Sequence, residues 1–258
     1  MHRAPLADLR ADLAFAAELV TACAELAAAR QRDVVEEKKH ATSLASSVVT
    51  EVDVEVERRV EAALAERHPD DSFVGEEFAL RKGTTSRTWH VDPIDGTLNY
   101  ARRLGPWSVV LSAWTDNRCD LVAVWTQGDV YTAARGLGAY CDGVRLDLGG
   151  APTEAAGIVR VPARLAATVA DAGWTARVVE SSATELCQVA DGRSVGTLRL
   201  AGHPRDLHGP ALLVEEAGGV VTDLTGGPWS ADSTGLVAAA PGAHAALLAL
   251  VPPEARRP

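Results

Sequence analysis

Residues 89–97 read Trp89-His90-Val91-Asp92-Pro93-Ile94-Asp95-Gly96-Thr97. An apolar run leads into two carboxylates separated by a proline and an isoleucine, followed by a glycine and a threonine. Pro93 fixes its own φ and biases Asp92 towards extended backbone, so the chain can turn here and aim Asp92 and Asp95 at one point. Two converging hard oxygen donors suit Mg²⁺, which takes carboxylates, water and substrate phosphate. The amides of Gly96 and Thr97 are then placed to bind phosphate oxygens. The same residue types also make an ordinary turn, and the segment alone does not separate the two readings.

Upstream, Ser72-Phe73-Val74-Gly75-Glu76-Glu77 brings a further carboxylate to the end of a short apolar run. A glutamate pair is usually solvated surface, and its place before a second acidic strand end is what singles it out. Further upstream, Leu9, Leu13, Ala16, Ala17, Val20 and Cys23 recur at helical spacing within residues 6–30. Val52, Val56, Val60 and Leu64 form a second stripe, predicting a helix over 51–67 that ends at His68-Pro69. Residues 31–50 read as a loop.

Downstream, the apolar runs 88–92, 107–115, 120–126 and 129–134 predict strands of a largely antiparallel sheet. After Gly149-Gly150-Ala151-Pro152 the texture changes. Strands are expected near 157–161, 176–179, 197–200 and 234–239, and helices near 163–172, 182–191 and 206–217. The organisation read from this is an α+β half, residues 1–150, followed by a smaller α/β half, residues 151–258.

Composition narrows the function. The 258 residues are 47% hydrophobic, enough for a sizeable core, and contain no apolar run of membrane-spanning length. No secretory leader is recognisable, so a soluble cytoplasmic protein is expected. Cys23, Cys119, Cys141 and Cys187 lack paired spacing and read as reduced thiols. With 25 basic against 35 acidic residues the net charge is −10, which argues against a nucleic-acid polymer as partner. A phosphate site on so acidic a chain needs a cation, and a divalent metal is the simplest. Neither a P-loop nor a nucleophile elbow is present.

The Gly75-Glu76-Glu77 triplet, the Asp92–Thr97 segment and residues 206–219 together resemble the inositol monophosphatase family, magnesium-dependent phosphomonoesterases of the lithium-sensitive type. The resemblance runs from Val48-Val49-Thr50-Glu51-Val52-Asp53 through Gly136-Leu137-Gly138-Ala139-Tyr140 to Thr225-Gly226-Gly227-Pro228-Trp229. It implies a layered αβαβα sandwich and a homodimer. It also implies two or three Mg²⁺ ions held by Glu76, Asp92, Asp95, Asp206 and the carbonyl of Ile94. Asp53 and Thr97, with Glu76, are implied to act on the attacking water. Asp95, Gly96, Thr97, Ser181 and Ser182 are implied to position the phosphate and its substrate. N-capping is the structural alternative for Asp206 and for the serines. The substrate expected is a small polyol, sugar or inositol-type monophosphate. A 3′-phosphonucleotide, histidinol phosphate or a biosynthetic sugar phosphate are the alternatives, as is a non-catalytic metabolite-binding homologue.

Three departures from the family pattern carry expectations of their own. Arg205 and Pro210 flank Asp206, so the helix there is expected to begin late or to bend. Arg199 stands where the family's substrate-touching glutamate falls, and reads either as a contact to a second anionic or keto-enol-type group on the substrate, or as a residue that points to solvent or pairs with Asp206 or Glu185. Ser47 replaces an aspartate, with Lys38 and Lys39 further upstream than usual, which weakens the least tightly held metal position. Trp107, Trp114 and Trp125 are candidates for a dimer face or for core.

Overall fold

The computed structural model describes residues 6–34, 36–38, 48–78, 80–149, 157–202, 204–230 and 232–256. Lys39, Ser47 and His203 lie outside them, as do the side chains of Lys38, Arg205, Asp206 and His208.

Helix α1 (Leu6–Arg30) is followed by a short antiparallel ribbon, β1 (Glu36–Lys38) with β2 (Val48–Thr50), and then by α2 (Glu51–Arg67). Helix α2 starts at a reciprocal cap: Thr50 Oγ1 accepts from the Val52 and Asp53 amides, while an Asp53 oxygen accepts from the Thr50 amide. The main sheet has seven strands in chain order: β3 (Ser72–Val74), β4 (Arg87–Asp95), β5 (Ser108–Thr115), β6 (Arg118–Thr126), β7 (Asp129–Ala134), β8 (Gly138–Cys141) and β9 (Val144–Arg145). Only the β3–β4 pairing is parallel; the connection through Gly75–Ser86 brings the chain back to run alongside β3. Helix α3 (Thr97–Arg102) leaves the end of β4.

The second sheet combines β10 (Ile158–Arg160), β11 (Thr175–Arg177), β12 (Gly196–Arg199), β13 (Val220–Thr222) and β14 (Leu236–Ala239) in the order β11-β10-β12-β14-β13. It is parallel at β11-β10-β12 and antiparallel beyond. Helices α4 (Ala166–Asp171), α5 (Ser182–Ala190), α6 (Pro204–Glu216) and α7 (His244–Ala249) complete the chain. The ribbon of β1 and β2 falls within residues 31–50, read from the sequence as a loop, and α3, β9, β13 and α7 have no counterpart in the sequence reading: all are short and lack a periodic stretch long enough to register.

Strand alternation distributes the core over five layers. Val109, Leu111, Leu121 and Ala123 point towards α1 and α2, packing with Val20, Val56, Val60 and Leu64. Val110, Val122 and Val124 point the other way, onto α5 and α6 through Leu186, Leu207, Leu212 and Val214. Leu236 and Ala238 close that layer from the second sheet, while Val159, Leu198 and Val237 face α4 and α7 through Val169 and Leu247. The order helix, sheet, helix, sheet, helix is the expected αβαβα sandwich.

One expectation changes here, and one pair of alternatives is narrowed. Helix α6 neither starts late nor breaks: Pro204 opens it, where a missing amide hydrogen is harmless, and the helix continues through Pro210 to Glu216. Pro210 instead removes the amide that would have bonded the carbonyl of residue 206. Trp107 and Trp114 are buried within the chain, Trp107 against Tyr100 and Trp125, and so belong to the core. Among the described residues, no helix is long and apolar enough to cross a membrane, and the four cysteines are free.

Candidate active site

The site is built around the end of β4. On a regular strand, side chains three residues apart leave opposite faces. Here Asp92 pairs with Val110 and Asp95 with Ser108, three steps against two, and this bulge cancels the alternation. Pro93 sits inside the bulge, where a ladder hydrogen bond is not required of it. Asp92 and Asp95 are both buried, at 3% and 8% exposure.

Asp95 is heavily engaged. One oxygen accepts from Ser108 Oγ (2.9 Å), Ser181 Oγ (2.7 Å) and the Ala183 amide (2.8 Å). The other accepts from the Ser182 amide (3.1 Å) and Ser182 Oγ (3.2 Å). Asp95 thereby caps α5 in place of Ser181, which holds the N-cap position without a side-chain cap bond of its own. With about four lone-pair positions on a carboxylate, coordination of a cation by Asp95 requires at least one of these donors to turn away.

Gly96 is left-handed (φ 87°), and a Cβ there would lie 3.1 Å from that of Ser181 and 3.2 Å from the Pro106 carbonyl. Only glycine lets the turn and α5 approach so closely. Thr97 opens α3 and donates from Oγ1 to the Ile94 carbonyl at 2.9 Å. The structure therefore gathers Asp95, Gly96, Ser181 and Ser182 in one contact group and joins Ile94 to Thr97.

Asp53, on the first turn of α2, is buried, and its oxygen is bonded by the Thr50 amide (2.8 Å) and hydroxyl (2.6 Å). Burial pushes its pKa up to about 7 against those bonds, and the charges of Glu76 and Glu77 push the same way. Its own charge reaches Tyr100 on α3. The sign of the linkage follows: an acid raised from 3.8 favours the fold when protonated, so that stabilisation is lost as pH rises through about 7. Between pH 5 and 8 the metal-free protein is expected to lose on the order of 2–4 kcal/mol from this group. Urea unfolding should show a flatter pH dependence in Asp53→Asn; an unaltered slope would contradict the assignment.

Arg199 Nη1 lies 3.3 Å from both oxygens of fully buried Glu185 on α5, one of the pairings read from the sequence. Burial, assisted by the charge of Asp95, pushes Glu185 up to about 7 although Arg199 pulls it down.

Asp206 lies in the first turn of α6, its side chain outside the described residues. Among the described residues, no three His, Cys, Asp or Glu groups stand close enough to hold a metal ion. The donor set nevertheless fits a hard divalent cation: oxygen ligands only, with the charges of Glu76 and Glu77 adding to the cost of ionising buried Asp53, which a cation would relieve.

Two contributors were not foreseen. Ser108 faces Asp95 across the bulge, and its hydroxyl gave no pattern in the sequence. Glu57 on α2 is fully buried and accepts from the amides of Glu76 (2.8 Å), Glu77 (2.8 Å) and Phe78 (2.9 Å). Its signal was an acidic residue one helical turn after Asp53, on the apolar stripe of α2.

Residues 8–254 match the family model described as the inositol monophosphatase family. The chain belongs to the inositol monophosphatase family. Human inositol monophosphatase 2 is 31% identical over 240 residues, 85% of this chain and 83% of that protein. Inositol-1-monophosphatase ImpA of Mycolicibacterium smegmatis is 34% identical over 219 residues, 78% of this chain and 79% of that one. The solved Thermotoga maritima IMPase superposes with a TM-score of 0.85 at 25% identity, covering 93% of this chain and 96% of that one. Membership makes the chain a phosphoric monoester hydrolase of a metal-dependent family.

Proposed function

We propose that the chain hydrolyses an inositol-type monophosphate, or a closely similar polyol or sugar phosphate, with Mg²⁺ held by Glu76, Asp92, Asp95, Asp206 and the Ile94 carbonyl. The observation that supports this reading is the β4 bulge: it cancels the strand alternation between two buried carboxylates, Asp92 and Asp95, just before the turn that carries Gly96 and Thr97. Two or three bound ions would activate water and neutralise the charge on phosphate and leaving alkoxide.

The chain's own groups have separable tasks. Asp53 Oδ, a buried carboxylate on the first turn of α2, is the group assigned to receive a proton from the attacking water. Thr97 Oγ1 spends its hydrogen on Ile94, which leaves its lone pairs to orient that water. The first amides of α3, at Gly96 and Thr97, have no partner within the helix and suit phosphate oxygens. Ser181 and Ser182, held by Asp95, shape the substrate side.

Because Asp95 comes from the 1–150 half and the serines from the 151–258 half, we read the site as lying between the two. The names of the relatives support the inositol-type substrate. The family resemblance supports a cytoplasmic homodimer acting on a small phosphorylated metabolite.

The test is phosphate release from inositol, sugar, histidinol and nucleotide monophosphates, with Mg²⁺ and with chelator. Metal-dependent release fastest from inositol monophosphate is the expected result. Release that survives chelation would overturn the metal assignment, and a nucleotide or histidinol preference would overturn the substrate.

A further inference from the structure

We propose that Glu57 is a positioning residue for the loop that carries Glu76, and that Gly75 is a glycine because the Glu57 carboxylate occupies the space a side chain would need. The inference rests on reading Glu76 as a metal ligand.

Glu57 is fully buried, on a helix whose buried face also carries Asp53 one turn earlier. Its carboxylate is enclosed by three consecutive amides: Oε2 accepts from Glu76 and Glu77, and Oε1 from Phe78. Such a run of amides turned onto one carboxylate fixes the path of the backbone, because each bond is charge-assisted and shielded from water. A Cβ on Gly75 would lie 1.7 Å from Glu57 Oε1 and 2.1 Å from its carboxyl carbon. The glycine and the buried glutamate are thus two halves of one fit.

Neighbouring contacts continue the grip. The Arg58 guanidinium lies 5.3 Å from the centre of the Phe78 ring, and Arg81 approaches Glu61 at 3.9 Å. Because Asp53 and Glu57 share α2, the helix sets where the Glu76 backbone stands relative to Asp53. Groups that orient a metal ligand from behind govern affinity without touching the ion.

In Glu57→Gln one acceptor becomes an NH₂ group facing an amide that can no longer be satisfied. Two readouts on the purified protein test the idea, neither of them catalytic. Hydrogen exchange of the Glu76, Glu77 and Phe78 amides in the metal-free protein should speed up at least about tenfold. Mn²⁺ affinity, measured by titration, should fall about 10- to 100-fold. Gly75→Ala leaves the glutamate in place but pushes its carboxylate away, so it should reproduce both changes; it is the second arm should Glu57→Gln not fold. Wild-type exchange and wild-type Mn²⁺ affinity in either folded variant would overturn the proposal. If the unaltered protein binds no Mn²⁺, the metal reading fails by itself, while the exchange experiment still decides whether Glu57 holds the loop.

Discussion

Asp92→Asn is expected to lower phosphate release by about a thousandfold or more while leaving the fold intact. Asparagine preserves the size and one oxygen of a side chain that is buried in the β4 bulge, but it removes the negative charge. A catalytic metal contributes several kcal/mol to stabilisation of the transition state, and each ~1.4 kcal/mol is a factor of ten in rate. Loss of one charged ligand should therefore dominate the kinetics. Circular dichroism and melting without metal should stay close to those of the unaltered protein, since asparagine keeps the size of the buried side chain. Rates at saturating Mg²⁺, with circular dichroism as the check on folding, measure this. A rate within tenfold of the unaltered protein would remove Asp92 from the metal set.

Trp89→Ala should have the largest effect on stability, about 3–5 kcal/mol. Trp89 is completely buried at the start of β4, opposite Phe73 on one side and Ala113 on the other. Its indole donates to Asp71 at 3.0 Å, stacks on His68 at 5.2 Å and lies under the Arg87 guanidinium at 4.7 Å. Phe15 of α1 meets it edge-on at 6.4 Å. Truncation opens a cavity between helix and sheet and also leaves a buried Asp71 oxygen without its donor, so two costs add. Melting should fall by roughly 2–4 °C per kcal/mol for a chain of this size. Because the residue sits at the opposite end of β4 from Asp95, activity below the melting transition should survive. A loss under about 1 kcal/mol would mean that the surrounding rings close over the space.

The long periodic elements were legible from the residues alone. Helix α2 falls on the predicted residues 51–67 because its apolar stripe, its cap and Pro69 all agree. Strands β4 to β7 were visible as apolar runs interrupted by turns. The short β13 and α7 were not, since three to six residues give too few repeats to distinguish a period.

For the site, the one-dimensional pattern of Asp92, Pro93, Asp95, Gly96 and Thr97 marked out candidate groups, because residue type and local backbone restriction are properties of the chain itself, but it took the resemblance over the rest of the chain to favour a site over a plain turn. The order of the apolar elements likewise determined the layered class. Only the folded molecule decided which partners those groups meet. Asp95 engages Ser108, Ser181, Ser182 and Ala183, up to 88 residues away, and caps a helix that Ser181 alone would have been expected to cap. Arg199 turns to Glu185, and Glu57 reaches the amides after Gly75. These are contacts between elements distant in sequence. A buried polar group must find its partner wherever packing brings one within hydrogen-bonding distance, and no spacing along the chain encodes that distance.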